Sequence, residues 1–558
     1  MFRRSKKSVQ LNLFSSVHSL LRGKSLNMYE DNQMWHNQFR VQVTQRIEEE
    51  LFRVLYHDNF GSPNASIRLL IGMMILKEAH GWSDSQLFEA CHYNLLARSA
   101  LGLINIDDPI PAESTYYLLR KRIVDWEKGG HENLMEKVFA QVTKSQAIDF
   151  KINGQKIRMD SKLLGSNIAW YSRYELIHET VGKAYKSLKS EIDPFLTEED
   201  MSLLKSISEE SGDKVVYRSS KSDLEGKLLR LGILIDKIIH QIDDVTTESL
   251  QTLRRVFNEQ YQTVDDTVLA RPKEEISAGS VQSPHDTECH YRKKDAQQVK
   301  GYSINITETC DTNQSLNLIT SVLVDTASAA DCDFVQPSLE ATRAVVLQDT
   351  ATVNADGAYH SPENQDYCKE NGIDLIVSAI QGKASRYDLK MDENDQLTVT
   401  DLKTNTEIEV RQVKSRKEGA LPKWGIRTED GKNRYFTQKE IDTCSLRRQI
   451  AGRPIGELNR RNNVEATIFQ LGYHYPNDKS RYRGIIKHKI WANARCLWVN
   501  FVRILNFIAA GGSKSVQKVK NRLFLPQIML IYVKSKYLMY PVKKFSHTFS
   551  KNRWEIIF

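Results

Sequence analysis

Short apolar segments that alternate with helical segments are the feature of this sequence that most constrains its fold. Strand-like patterns occur at IRMD (157–160), VKGYSINIT (299–307), LNLITSVLVD (316–325), ATVNAD (351–356) and GIDLIVSAI (372–380). A helical pattern, VQPSLEATRAVV, separates the third of these from the fourth. Strands joined by crossover helices predict an α/β core whose sheet is mixed rather than purely parallel.

The N-terminal part of the chain is predicted to be helical over residues 30–145. Apolar residues recur there at three- and four-residue spacing, most clearly in 66–103. Ser83 is placed to cap one helix, and Ser114 or Thr115 the start of a later one. Short helices that include one basic helix are typical of a helix-turn-helix-like DNA-binding module, although small bundles without DNA contacts are common. The basic residues on that helix are Arg120, Lys121 and Arg122.

Two further segments interrupt the α/β pattern. Residues 184–283 are polar and helix-rich, and residues 385–445 alternate polar and apolar residues between turns, as small antiparallel strands do. A heptad seam in the first segment either joins two subunits or packs against a helix of the same chain. Its members are Leu224, Leu228, Leu231, Ile235, Ile238, Ile242 and Val245.

The composition describes a soluble protein of several structural units. The chain has 558 residues, of which 40% are hydrophobic and 27% charged. No apolar run reaches the roughly 18 residues that a membrane helix requires. The seven cysteines are scattered and never spaced as CxxC, which indicates reduced thiols in a cytosolic protein rather than a disulfide framework or a zinc site.

The net charge of +8 is distributed very unevenly along the chain. From Lys479 onward there are 17 Lys and Arg and a single acid, Glu555, whereas residues 1–478 carry a net charge of −8. Aromatic residues, among them Trp491 and Trp498, lie between the positive charges. This combination favours a nucleic-acid partner over a merely solvated basic surface.

Three acidic residues occupy positions suited to metal binding. Asp160 and Asp356 each close a short apolar strand, and Glu465 lies on a late helix one turn after Arg461. Three gathered carboxylates repel one another unless cations neutralise them, and Mg²⁺ or Mn²⁺ prefers such oxygen ligands. Spacing alone does not single these acids out. Alternatives nearby are Asp325, Asp331, Asp333 and Glu457.

Several of these segments resemble the DDE transposases of bacterial insertion sequences. The helical segment 66–103 with IPAESTYYLLRKRI resembles the N-terminal domain of that family. SPHDTECHYRKKDAQQVKGYSINITETCD is similar to its entry into the second strand, ADGAYHS carries the second aspartate, and RRNNVEATIFQLGY resembles the segment with the glutamate. Together these segments cover most of residues 40–510.

The resemblance implies a catalytic domain with a ribonuclease-H-like mixed sheet flanked by helices. Asp160, Asp356 and Glu465 would hold two Mg²⁺ ions, for which Mn²⁺ can substitute, with Gly357 and Ala358 leaving room beside Asp356. Arg461 would lie near phosphate or orient Glu465. The expected organisation is a helical DNA-binding domain (1–145), a catalytic core (146–183, 284–384 and 446–510), a helical insertion (184–283), a strand-rich insertion (385–445) and a basic tail (511–558).

The resemblance also implies a reaction, which is metal-dependent cleavage at terminal inverted repeats and strand transfer into target DNA, and it implies partners. The partners are double-stranded DNA, as terminal inverted repeats and as target, and a second copy of the chain in the DNA complex. A cytoplasmic bacterial protein associated with the nucleoid is expected. Further DNA contacts are predicted at Lys479, Arg481, Arg483 and Lys487.

The sequence departs from the fuller family signature Y-x2-R-x3-E-x6-K at two positions. Leu458 stands at the tyrosine position and Gly472 at the lysine position. Three functions therefore remain open: an active transposase, a catalytically decayed copy that only binds DNA, and a structure-directed nuclease without joining activity.

Overall fold

The computed structural model describes residues 1–5, 15–242, 247–294, 296–380, 382, 385–392, 396–413, 422–458 and 463–511. Residues 1–505 form one compact unit, and the second unit, residues 506–558, is described only to residue 511. None of the described helices is long and apolar enough to cross a membrane. All seven cysteines lie in the described residues and are free thiols.

The N-terminal region is helical, as the apolar spacing predicts. Its helices are α1 (Gly23–Glu30), α2 (Trp35–Gln42), α3 (Ile67–His80), α4 (Asp84–Tyr93), α5 (Leu95–Ala100), α6 (Glu113–Lys128) and α7 (Leu134–Asp149). Ser83 caps α4 in a reciprocal capping box with Gln86, which confirms that prediction. The prediction for α6 is wrong by two residues: Ala112 is the N-cap, and Ser114 and Thr115 lie inside the first turn.

The first strand of the main sheet is followed by the helical insertion. These elements are β1 (Lys156–Gly165), α8 (Arg173–Ile192), α9 (Glu198–Glu209), α10 (Gly212–Arg218), α11 (Lys221–Gln241), α12 (Glu248–Gln260), β2 (Tyr261–Val264) and β3 (Thr267–Ala270). The predicted boundary at residue 184 falls inside α8. The heptad seam lies on α11, where Leu231, Ile235 and Ile238 are buried against α8 and α12 of the same chain. Its last member, Val245, is outside the described residues.

The remaining strands of the main sheet follow the insertion. They and their helices are β4 (His290–Lys294), β5 (Gln297–Thr309), β6 (Ile319–Thr326), α13 (Val335–Val345), β7 (Thr352–Ala355), α14 (Pro362–Glu370) and β8 (Asp374–Val377). All four strand patterns predicted between residues 299 and 380 are confirmed, as is the helix between β6 and β7.

The sheet has the strand order β6-β5-β1-β7-β8, with β4 also paired to β5. β5 is antiparallel to β1, β4 and β6, whereas β7 is parallel to both β1 and β8. β1, β5 and β6 form an antiparallel meander, and β7 and β8 extend the sheet in parallel on the free side of β1. This is the arrangement of the ribonuclease-H-like fold. The predicted mixed sheet and its fold class are confirmed.

The two faces of this sheet pack against different helices, because successive side chains of a strand point to opposite faces. One face forms a core with α13, built from residues that include Ile157, Met159, Val353, Ala355 and Leu339. The opposite face joins the large core that contains the N-terminal helices, and its strand residues include Leu164, Ile304 and Ile306.

The strand-rich insertion forms two three-stranded antiparallel sheets, as its alternating pattern predicts. Its elements are β9 (Tyr387–Met391), β10 (Leu397–Asp401), β11 (Thr406–Ile408), β12 (Arg411–Val413), β13 (Lys423–Arg427), β14 (Asn433–Thr437) and α15 (Gln438–Gly452). Trp424, Phe436 and Leu389 close a small core of their own, to which Ile441 of α15 contributes.

Three helices complete the described chain: α16 (Ile455–Leu458), α17 (Asn463–Gly472) and α18 (Ile485–Ala509). α18 is buried along much of its length. Trp491 is 1% exposed and Trp498 packs against Phe39 and Phe501. The rings of these two tryptophans therefore belong to the protein core and do not themselves support the predicted nucleic-acid partner.

Candidate active site and DNA interface

Asp160 lies on β1, and Asp356 directly follows the neighbouring strand β7. β1 and β7 pair in parallel with Lys156 opposite Thr352 and Arg158 opposite Asn354. Continuing this register by two residues along both segments brings Asp160 opposite Asp356. Neighbouring strands are about 4.8 Å apart. The sheet thus brings together two aspartates that are distant in sequence.

Asp160 does not end its strand, contrary to the prediction. β1 continues to Gly165 because its antiparallel pairing with β5 runs on from Ser161 opposite Asn305. Asp160 is buried and its Oδ1 accepts a hydrogen bond from the Ser161 amide at 2.8 Å. Its position in the strand places it on the same face as Arg158, toward the large core.

Asp356 follows β7 directly, as predicted, and caps the turn after it. Its Oδ1 accepts a hydrogen bond from the amide of Ala358 at 2.7 Å. Gly357 is required for another reason than the one expected, because a side chain there would overlap the carbonyl oxygen of Ala379. The small residue admits a neighbouring segment of backbone.

The pKa of Tyr359 is affected by the negative charges of Asp160 and Asp356. Its ring is buried, and its hydroxyl donates to Asn305 Oδ1 at 2.7 Å. Burial raises the pKa of Tyr359 well above its usual value, and the negative charges of Asp160, Asp331 and Asp356 raise it further. The three carboxylates therefore act on the same buried hydroxyl.

Glu465 lies in the first turn of α17 and is exposed. α17 packs against β1, and Thr467, two residues after Glu465, donates to Glu308 of β5 at 2.8 Å. Glu308 is opposite Arg158 in the β1–β5 register. The helix that carries Glu465 therefore covers the strand that carries Asp160, on the face toward which Asp160 points.

The carboxylates fit a divalent ion in their chemistry. Carboxylate oxygens are the donors that Mg²⁺ and Mn²⁺ prefer, and Asp160 and Asp356 are adjacent. Among the residues that the structure describes, no three His, Cys, Asp or Glu side chains lie close enough to hold one ion together. In this conformation Glu465 does not join the two aspartates in a three-ligand group.

The alternative acids have other surroundings. Asp331 is buried, accepts a hydrogen bond from Ser161 Oγ at 2.7 Å and pairs with Arg292 at 3.2 Å. Asp325 is exposed on β6, and Glu457 is 3.7 Å from Arg453.

A basic cavity that the sequence analysis missed is lined by Ser161 and Lys162, the two residues that follow Asp160 on β1. Its volume is about 460 Å³, and Lys162, Arg292 and Lys294 line it together with Asp478. Lys162 also lies against Gly472, whose missing side chain would meet the Lys162 ammonium at 3.2 Å. The basic run HYRKK of β4 was the available signal, but only the fold brings it next to β1.

The N-terminal helices and α18 line a cavity of about 420 Å³. Arg120 and Lys121 of α6 reach it from one side and Lys487 of α18 from the other, beside Glu78 and Tyr116. Lys121 and Lys487 are exposed. Three predicted DNA contacts from distant segments thus meet at one opening.

Two of the basic residues on α6 are held by protein contacts. Arg120 lies 3.6 Å from Asp84 and over the rings of Tyr116 and Tyr482. The Arg122 guanidinium lies over the ring of Tyr56, 4.8 Å from its centre.

Three exposed basic residues precede α18, and Arg461 lies outside the described residues. Each of the three donates one hydrogen bond to a backbone carbonyl: Lys479 to Ile168, Arg481 to Trp82 and Arg483 to Asn167. Their exposed charge extends the basic surface that begins at Lys487.

Comparison with known families identifies two regions of the chain. Residues 28–122 match the Transposase domain (DUF772), and residues 262–501 match the Transposase DDE domain. Together the two matches cover more than half of the chain. The chain belongs to the DDE transposase family. The second match contains Asp356 and Glu465, whereas Asp160 lies between the two matched regions.

Other comparisons add little to the family assignment. No curated protein is significantly similar in sequence. Among solved structures, the chain is similar to the piggyBac transposase in its cryo-EM synaptic complex with hairpin DNA, at 8% identity and a TM-score of 0.26, with 87% of this chain and 76% of that chain covered.

Proposed function

We propose that this DDE transposase cleaves DNA at the terminal inverted repeats of an insertion sequence and joins the ends to target DNA. The observation that supports the proposal is the parallel pairing of β1 with β7, whose register, continued by two residues, brings Asp160 opposite Asp356. Like charges on adjacent strands disfavour each other unless a cation lies between them. A divalent-ion site is the simplest function for this pair.

The three acids have distinct roles in the proposal. Asp160 and Asp356, fixed by two strands, supply the rigid part of the site, and Glu465 completes it from α17. Two Mg²⁺ ions held there would lower the pKa of a bound water and stabilise the attacking and leaving oxygens of phosphoryl transfer. The chain itself orients the phosphodiester and excludes other nucleophiles.

The basic residues supply the DNA contacts in this proposal. Arg120, Lys121 and Lys487 converge on one cavity between the N-terminal helices and α18. Lys479, Arg481 and Arg483 carry the positive surface onward. Contacts of this kind neutralise phosphates, so binding should weaken steeply as salt rises. Raising salt therefore provides a direct measure of how many phosphates are contacted.

A synaptic complex of two copies is part of the proposal, because two DNA ends must be held together. The heptad seam of α11 is already buried within one chain and is not the proposed contact. The mass of the protein–DNA complex in solution tests the stoichiometry: two chains per pair of ends supports it, and one chain contradicts it.

The test of the function uses inverted repeats that flank the reading frame. The full-length protein is incubated with an end duplex and Mg²⁺, and both cleaved and joined products are measured. Asp356→Ala should abolish cleavage while leaving DNA binding unchanged. Asp325→Ala, which removes an exposed aspartate from β6 at the edge of the same sheet, is the matched control and should cleave like the wild type. Cleavage that survives Asp356→Ala would contradict the proposed site.

A decayed, DNA-binding copy is the second candidate. Leu458 and Gly472 at two signature positions favour it. Binding of the end duplex without cleavage in Mg²⁺ or Mn²⁺ would support this candidate, and cleavage without joined product would instead support a nuclease.

A further inference from the structure

One buried carboxylate connects the strand of Asp160 to the helix of Glu465. Glu308 of β5 is fully buried, and Arg158 contacts its Oε1 through Nε at 2.6 Å and through Nη2 at 2.5 Å. Its Oε2 accepts hydrogen bonds from Arg503 of α18 at 2.6 Å and from Thr467 of α17 at 2.8 Å. Both carboxylate oxygens are therefore hydrogen-bonded, Oε1 to β1 and Oε2 to α17 and α18.

The spacing of these partners relates the cluster to the candidate site. Arg158 precedes Asp160 by two residues on β1, so both side chains lie on the same face. Thr467 follows Glu465 by two residues on α17, so the two side chains lie on opposite sides of the helix, with Thr467 buried and Glu465 exposed. Arg503 also donates to the Thr467 hydroxyl, at 2.5 Å. One residue on each candidate element is thus tied to the same carboxylate.

The negative charge of Glu308 is compensated by two arginines through hydrogen bonds of defined geometry. Burial alone would raise the pKa of Glu308, but Arg503 and Arg158 outweigh it and hold the pKa below its usual value. Apolar contacts are non-directional, and α17 buries few side chains, with Val464 and Leu471 on its inner face. Charge-assisted hydrogen bonds require a defined geometry and so can fix the helix at one height along β1.

We propose that Glu308, through Thr467 and Arg158, is the positioning residue that holds α17 against β1 and so sets where along that strand Glu465 lies relative to Asp160 and Asp356. This inference rests on the proposed metal site. Glu308 itself touches neither metal nor DNA in the proposal. It sets the distance between the two elements that carry the ligands.

The test substitutes Thr467, because Glu308→Gln would leave the charges of Arg158 and Arg503 poorly compensated and endanger folding. Thr467→Val keeps the shape of the side chain and removes only the hydroxyl. Mn²⁺ binding is measured from the electron paramagnetic resonance signal of unbound Mn²⁺, with the full-length protein bound to its end duplex. We expect about tenfold weaker binding, restoration by Thr467→Ser, and unchanged DNA affinity.

Thr342→Val is the matched control. Thr342 is a buried threonine of α13, hydrogen-bonded to Thr320 at 2.9 Å on a helix that carries no candidate ligand. It should leave Mn²⁺ affinity unchanged. In a Glu465→Ala background, Thr467→Val should cause no additional loss, because the ligand that it positions is already absent.

The outcomes separate this inference from the proposed function. If Glu465→Ala weakens Mn²⁺ binding and Thr467→Val does not, the positioning role is overturned and the metal site stands. An additional loss in the Glu465→Ala background also overturns it, because the effect would then be a general loss of structure. If the wild type binds no Mn²⁺, or Glu465→Ala binds it as well as the wild type, the proposed site and the positioning role both fail.

Discussion

The N-terminal helices and the helical insertion are both built from helices but are used differently by the fold. α1–α7 have no separate core: residues of α3 and α7 pack in one cluster with Ile304 and Ile306 of the sheet and Trp491 of α18. α8–α12 enclose a core of their own, in which Leu231 and Ile235 of α11 meet residues of α8 and α12. The first region shares one core with the main sheet, and the second is a module with a core of its own.

The contacts between the insertion and the segment that returns to the sheet are polar. Lys183 Nζ donates to the carbonyl of Pro284 at 2.5 Å, and His285 lies 2.9 Å from Glu179. Arg255 Nη1 donates to the carbonyl of Thr287 at 2.8 Å. Contacts of this kind fix an orientation but contribute little apolar burial. This difference predicts that a substitution in the shared core will destabilise both the N-terminal helices and the sheet, whereas a substitution in the core of the insertion will destabilise the insertion alone.

The largest expected effect is that of Trp491→Ala in the shared core. Trp491 is 1% exposed and packs edge-to-face on Tyr475, with ring centres 5.3 Å apart. Loss of a buried tryptophan costs about 3–5 kcal/mol. Hydrogen exchange followed by mass spectrometry should show faster exchange in both α3 and β5, because one core supports them.

Ile235→Ala is the corresponding change in the insertion. Ile235 is fully buried on α11, and its truncation costs about 2–5 kcal/mol. Hydrogen exchange should accelerate in α8, α11 and α12 while α3 and β5 keep their protection. If α3 and β5 lose protection as well, the insertion is not a separate module and the comparison is wrong.

Acid should destabilise the shared core through His488. This fully buried ring lies against Tyr302 and contacts Ser480 Oγ at 2.7 Å and the carbonyl of Gly484 at 2.8 Å. Burial lowers its pKa from 6.5 to about 4, so the folded protein keeps it neutral where the unfolded chain protonates it. Stability is therefore fully present above pH 6.5 and falls by ~3 kcal/mol as the pH drops to 4.

The measurement is urea unfolding of the wild type and of His488→Gln between pH 7.5 and 4.5. The variant should be less stable at neutral pH and should show a shallower loss of stability on acidification. An unchanged dependence on pH would contradict a dominant role for His488.

The smallest expected effect comes from two glycines of α11. At Gly232 a side chain would overlap the ring of Tyr261, whereas at Gly226 nothing lies within 4 Å. Gly232→Ala should destabilise the insertion by about 1–3 kcal/mol through overpacking. Gly226→Ala should stabilise it by about 1 kcal/mol, since alanine is the better helix former. The unfolding midpoints of the two variants should move in opposite directions, and a shared direction would contradict the packing of α11 on Tyr261.

Features that depend on neighbouring residues could be predicted from the sequence. The Ser83 capping box spans three positions, and Asp356 follows a short strand whose end is marked by glycine. The continuation of β1 past Asp160 could not be predicted, because it is caused by pairing with β5, far along the chain. Glu308 was missed for the same reason, since its arginines come from segments on either side of it.

The burial of Trp491 could have been predicted from the spacing of apolar residues along α18. Trp491, Leu497, Phe501 and Ile504 recur at near-helical spacing on α18, and all are buried. The positive charges between them indicate a nucleic-acid surface, but a helix can expose basic residues on one face and bury apolar residues on the other.

The position of the insertion has a consequence for how the chain acquires its fold. β1 and β5 are adjacent in the sheet, yet residues 166–296 separate them in sequence. Closing so long a flexible loop is entropically costly and slows pairing. A segment that first collapses around its own apolar core shortens the loop that must be closed, because its ends are then held together by folded structure. During synthesis β1 leaves the ribosome well before β5. We expect the insertion to fold in this interval and to hold β1 close to the position at which β5 later pairs with it.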